Sequence, residues 1–160
     1  MKLGVISQNL MQFDEVEEGL QYAEDLGFQA IEVGIAGLWG RKFCDIEKLM
    51  ADRGEMERWH EGFARHGLEI SAMGAHGAPL MPDKKVAGQY SREFRRACEF
   101  MGAAGVTRMT LLSGLPEGAE GDTAPNWVTF AEWPFLRDTL EWQWEKRLVP
   151  YWREHGKIAA

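Results

Sequence analysis

Gly27-Phe28-Gln29-Ala30-Ile31-Glu32-Val33-Gly34 is the stretch on which the fold turns: a glycine, a short apolar run, and a second glycine. The chain repeats the phrase twice. It returns as His66-Gly67-Leu68-Glu69-Ile70-Ser71-Ala72-Met73-Gly74, and again as Ala104-Gly105-Val106-Thr107-Arg108-Met109-Thr110-Leu111-Leu112-Ser113-Gly114. The leading glycines stand 40 and 38 residues apart, the length of one strand, one helix and two loops. A helical pattern precedes each of them, over 14–26, 55–65 and 86–103. In the first, Val16, Leu20 and Ala23 recur at helical spacing with acids on the opposite face. Glycine directly after a helix is the usual left-handed terminator. Upstream, Leu3-Gly4-Val5-Ile6 supplies an opening strand.

Strands joined through helical crossovers return to the same end of a sheet, so they must run parallel. Such a repeat closes either as a doubly wound open sheet or as an eight-stranded barrel. The first turn, Ser7-Gln8-Asn9-Leu10-Met11-Gln12, contains no glycine and so lacks the phosphate-binding fingerprint of the nucleotide-binding open sheet. The expected fold is therefore α/β, a parallel (β/α) barrel of the TIM type represented by its first four β/α units. Residues 1–160 form this half barrel with no second domain. After Gly114 the pattern predicts a loop over 116–126, a helix over roughly 131–147, a break at Pro150 and further helix over 151–160. No fifth strand follows, and Lys157-Ile158-Ala159-Ala160 reads as an interrupted sequence.

Composition narrows the function. A net charge of −7 disfavours a sequence-independent grip on nucleic acid, which is built from clustered Lys and Arg. No apolar run approaches the roughly 20 residues that cross a bilayer. The N-terminus turns polar too soon for a secretory signal. Cys44 and Cys98 lie far apart, without the spacing of a disulfide framework or a CxxC metal site, so a cytoplasmic location is expected. Of seven Trp, Trp127, Trp133, Trp142, Trp144 and Trp152 fall near the C-terminus, where they suit core packing under a long helix. One or two of them could line a pocket.

In parallel α/β folds, sites are built where the strands end. Alternation puts Glu32 on the face opposite Ile31 and Val33, among small neighbours. A carboxylate buried there needs a partner such as Arg108. His76 in Gly74-Ala75-His76-Gly77-Ala78-Pro79-Leu80 stands at a strand-end loop, where a histidine between glycines serves a ligand better than packing. His60 and His66 read as solvated or capping residues, and His155 falls in the terminal helix. Ser113-Gly114 lets a ligand approach the backbone. Pro125-Asn126-Trp127 brings an amide and an indole to the rim, with Trp39 and Arg41 as similar rim residues. No HxH, HExxH, paired catalytic carboxylates or nucleophile elbow is present. One His and one Glu fall short of the three or more protein ligands usual for a metal.

The first two phrases, together with His76-Gly77-Ala78-Pro79-Leu80, Pro82-Asp83, Pro125-Asn126-Trp127, Glu141-Trp142-Gln143-Trp144-Glu145 and Pro150-Tyr151-Trp152, resemble the sugar phosphate isomerase/epimerase family. That family belongs to the xylose isomerase-like barrels, which also include the endonuclease IV type of apurinic endonuclease. The resemblance runs the length of the chain. It implies a barrel with a divalent metal (Mn, Mg, Co or Zn) at its C-terminal mouth, held by Glu, Asp, His and Glu from the last four strands. Two of those carboxylates act as acid and base beside a substrate carbonyl that the metal polarises. These ligands are expected beyond residue 160, so no catalytic set is complete here and the chain alone is expected to be inactive.

The one site residue carried over by motif is His76, which binds zinc in the endonuclease branch and more often faces substrate in the sugar branch. Ser113 stands where the endonuclease branch has a histidine, and this turns the reading away from DNA repair. The expected substrate-binding residues are His76, Glu32, Ser113, Trp127 and Trp39, with His76 the only candidate metal ligand. The expected partner is a small-molecule sugar or sugar phosphate, with no nucleic acid and no membrane. Two alternatives stand beside this reading. One is a non-catalytic half barrel that forms a homodimer to cover its sheet edges. The other is a metal-dependent phosphodiesterase of the endonuclease IV kind.

Overall fold

A computed structural model describes residues 1–38 and 41–160. The chain divides into two compact units, Met1–His76 with Glu99–Leu111, and Gly77–Cys98 with Leu112–Ala160.

The first unit holds the whole sheet. Its strands are β1 (Gly4–Ile6), β2 (Ala30–Gly37), β3 (Glu69–His76) and β4 (Met109–Thr110). All neighbours pair in parallel, in the spatial order β1-β2-β3-β4. A doubly wound sheet reverses its order at a switch point, whereas a β/α barrel lays its strands down in sequence. The observed order is that of the first four strands of such a barrel. Register runs from Gly4↔Ala30 on one side to Gly74↔Thr110 on the other.

The three glycine phrases have one physical cause. Helix α1 (Val16–Asp25), helix α3 (Arg53–Arg65) and the long helix α4 (Lys84–Ala104) each run into a left-handed glycine, Gly27, Gly67 and Gly105, with φ of 78°, 65° and 69°. In each, the next N–H reaches back across the turn: Phe28 to Ala23 O at 3.0 Å, Leu68 to Phe63 O at 3.0 Å, Val106 to Met101 O at 3.1 Å. That is the Schellman closure, which satisfies an orphan carbonyl and leaves the chain aimed into the next strand. Between β2 and α3 lies a short helix, α2 (Ile46–Ala51), that the sequence pattern does not announce. Asp45 caps it by accepting from Lys48 N. Asp52, extended at φ −139°, ends it and caps α3 by accepting from Gly54 N and Glu55 N.

Ile31, Val33, Ile35 and Met73 are fully buried, and Trp59 sits edge-on to Phe63 and Phe100 while its indole N–H donates to Phe43 O at 2.7 Å. Neither cysteine forms a disulfide. Burial, reinforced by Asp45, pushes the Cys44 thiol up to about 12, so it stays an inert thiol at neutral pH. His66 is buried rather than solvated, with Nδ1 2.7 Å from Glu24 Oε2 and Nε2 3.1 Å from Glu17 Oε1.

In the second unit, helix α5 (Pro134–Gln143), a π turn (Trp144–Leu148) and helix α6 (Val149–Ala159) follow one another without interruption. The break expected at Pro150 is therefore absent. The widened π turn ends just before Pro150, placing it in the first turn of α6, where a missing N–H costs little. The fourth strand is also shorter than its apolar run suggests. Beyond Thr110 the carbonyls are engaged elsewhere, Ser113 O by the Trp152 indole N–H at 2.9 Å and Gly114 O by Leu80 N at 3.1 Å.

Candidate functional site

Within the first unit, β2, β3 and β4 bring three polar side chains together: His76 and Thr110 end their strands, whereas Glu32, expected at a strand end, is the third of the eight residues of β2 and reaches them from inside the sheet. Glu32 Oε1 accepts from the Thr110 hydroxyl at 2.7 Å and lies 3.2 Å from His76 Nε2. Thr110 Oγ1 is 3.4 Å from the same nitrogen. A carboxylate only accepts, so the pairing puts the proton on His76 Nε2. The side chains of His76 and Glu32 keep 12% and 19% of their surface exposed, so the network is nearly desolvated. Gly74 makes the pairing sterically feasible. A Cβ there would stand 3.0 Å from Glu32 Oε1 and 3.1 Å from the His76 ring. At the end of β1, the buried Ser7 hydroxyl accepts from Gly34 N at 2.9 Å and ties the neighbouring strand into place.

Two of these participants, Thr110 and Gly74, are not among the residues the sequence reading singles out. Their signals were weak. A glycine inside a strand marks close approach, and Thr110 shares a face with Arg108, the partner expected for Glu32. Arg108 instead bears electrostatically on Glu69, and it is the register Gly74↔Thr110 that selects the hydroxyl. A hydroxyl, a carboxylate and an imidazole so placed can bind substrate hydroxyls or carry a proton between them. They do not make a metal centre. Among the described residues no group of three or more His, Cys, Asp or Glu side chains is placed to hold a metal ion, and Glu32 with His76 supplies two donors.

The second unit contains the other expected residues. Ser113 and Trp127 line a cleft of about 140 Å³, with Leu115, Asn126, Gln143 and Trp144 among its other walls. The loop over it is pinned. Gln143 is buried, and its Nε2 donates to Glu117 O at 3.0 Å and Asn126 O at 2.7 Å, one carbonyl from each arm. Pro116 O accepts from Asn126 N at 2.9 Å across the same neck. Below it, Arg147 Nε donates to buried Glu117 Oε1 at 2.7 Å and its guanidinium lies 4.7 Å from the centre of the Trp142 ring. Burial alone would raise the Glu117 carboxyl, but its own backbone N–H and Arg147 hold it below the ordinary carboxylate value. Of the expected set, Trp39 lies outside the described residues.

No protein-family profile matches the chain. Uncharacterized protein YfiH of Bacillus subtilis (strain 168) is 28% identical over 162 residues, covering 99% of this chain and 51% of that protein. The chain thus spans about half the length of this curated relative. Among solved structures it is similar to the probable 3-DHS dehydratase AsbF of Bacillus anthracis, which is involved in petrobactin synthesis. The identity is 14%, the TM-score 0.35, and the match covers 70% of this chain and 51% of the other. No helix among the described residues is long and apolar enough to cross a membrane.

Proposed function

We propose that this chain is the N-terminal part of a metal-dependent sugar or sugar phosphate isomerase/epimerase, which moves a proton on the carbon beside a carbonyl. The observation that carries this reading is the Glu32–His76–Thr110 network across three adjacent parallel strands, two of its members at strand ends. The family resemblance of the same strand-end phrases supports it. In this reading the chain's part is substrate binding. His76 and Thr110 meet substrate oxygens, and Glu32 orients both. Among the described residues no three side chains are placed to hold a metal ion, and in this reading the metal and the acid–base carboxylates belong to later strands. The chain alone is inactive.

The test begins with the reading frame downstream of codon 160. Its whole product, supplied with Mn²⁺, is incubated in D₂O with a panel of ketoses and their phosphates. Deuterium uptake beside the carbonyl is followed by NMR. The expected result is exchange that falls on the order of 10- to 100-fold in kcat/KM in Glu32→Gln and His76→Asn, the loss of one charge-assisted hydrogen bond. A product with no carboxylates at its later strand ends and no exchange on any member of the panel overturns the reading.

A further inference from the structure

The cleft in the second unit has a chemistry of its own. No charged side chain lines it. Its rim carries two indoles, Trp127 at 70% exposure and Trp144 at 52%, large apolar surfaces left facing water. Beside them stand neutral hydrogen-bonding groups, the Ser113 hydroxyl and the Asn126 amide, while the buried Gln143 amide is engaged with the loop carbonyls. At about 140 Å³ the cleft is smaller than the roughly 300–1,000 Å³ typical of drug-sized ligands, which fits a single small ring.

The wall is also held in a strained shape. Leu115 has φ of 56°, the single non-glycine residue at positive φ among those described, and it follows Gly114 at φ 137°. A Cβ on Gly114 would stand 2.7 Å from Leu80 Cγ, so glycine is required there. A leucine in the left-handed region costs about 1–2 kcal/mol and persists only where its surroundings enforce it. Here the Gln143 and Arg147 bonds to the loop neck provide that enforcement. A preformed, rigid, uncharged cleft with flat aromatic walls suits a ligand that has an apolar face and hydroxyl edges.

We propose that this cleft binds the ring of an uncharged sugar, its C–H face against Trp127 and Trp144 and its hydroxyls toward Ser113 and Asn126. The nature of the ligand rests on the reading given under Proposed function, and the new content is that the site favours the unphosphorylated sugar. A phosphate brought to this cleft would lose its water and find no cation among the lining side chains.

The test uses the 160-residue chain and follows its indole N–H signals by ¹H–¹⁵N NMR. Titrants are D-fructose, D-xylose, D-fructose 6-phosphate and inorganic phosphate. Saturable shifts of the Trp127 and Trp144 signals with a neutral sugar, at least 10-fold weaker with the phosphorylated one, are expected. Trp127→Ala should abolish the response with an unchanged circular dichroism spectrum. Ser113→Leu, which puts a larger side chain into the cleft lining, should do the same. The absence of saturable shifts, equal or tighter binding of the phosphorylated sugar, or full binding in both variants overturns the proposal. If the whole product exchanges deuterium while these indoles stay silent, the cleft proposal fails and the isomerase reading stands. If the indoles respond to neutral sugar while no exchange occurs, the cleft stands and the catalytic reading fails.

Discussion

Two glycines five residues apart, at the end of one helix, should respond to the same substitution with opposite sign. Gly62 lies inside α3 and Gly67 just past its end, and a Cβ at either position would meet no atom within 4 Å. Neither substitution therefore gains a contact or causes a clash, and backbone energetics decide. At Gly62 the backbone is helical. Alanine there restricts the unfolded chain and should stabilise the protein by about 0.5–1 kcal/mol. At Gly67 φ is 65°, where a β-carbon meets the following carbonyl, and Gly67→Ala should cost about 1–2 kcal/mol. The N–H of an alanine can still bond Ala64 O as Gly67 N does at 3.0 Å, so no hydrogen bond is lost to confuse the sign. Urea unfolding followed by circular dichroism reads the difference. With a slope of about 2 kcal/mol/M, the midpoint should rise by about 0.3–0.5 M for Gly62→Ala and fall by about 0.5–1 M for Gly67→Ala. If Gly67→Ala raises the midpoint as Gly62→Ala does, the left-handed closure is not what ends α3. The same explanation would then lapse for Gly27 and Gly105.

Three further outcomes follow from the side chains. Burial pushes the His66 imidazole down, yet hydrogen bonds to Glu24 and Glu17 outweigh it and its pKa lies above the ordinary 6.5. The stabilisation is thus fully present below about 6.5 and lost as pH rises through the raised value. Melting temperature against pH should show that loss in the wild type and not in His66→Gln, and parallel profiles would refute it. Arg147→Met leaves buried Glu117 without its counter-charge and should cost about 3 kcal/mol in urea unfolding, partly recovered by adding Glu117→Gln. A cost below about 0.5 kcal/mol would show that the pair does not hold the loop. Calorimetry of the 160-residue chain with Mn²⁺ should show weak binding or none, unchanged in His66→Gln and His76→Ala. Micromolar binding that His76→Ala abolishes would sink the view that the metal ligands lie elsewhere.

Two members of the candidate site stand out in the sequence, though their wiring does not. Glu32 and His76 stand out because each is a polar residue in an apolar strand, His76 at the end where such folds build sites and Glu32 well inside its strand. Their contact does not, because Glu32 and His76 are 44 residues apart and meet only through strand pairing. Thr110 is unremarkable in sequence, and only its place opposite Gly74 makes it a donor to Glu32. Pro150 misled for a similar reason. Its effect depends on the hydrogen-bond register of the preceding turn, and a π turn shifts that register.

The sequence by itself determined that the strands are parallel and where α1, α3 and α4 stop, since both follow from local rules: apolar periodicity, crossover length and the left-handed tolerance of glycine. Tertiary structure alone decided that Glu32 pairs with Thr110 and His76 rather than with Arg108. It alone decided that His66 is buried between two carboxylates, and that Gln143 pins the two arms of a loop. Those outcomes rest on register and on the desolvation of polar groups. Both join residues far apart in the chain, so no local pattern encodes them.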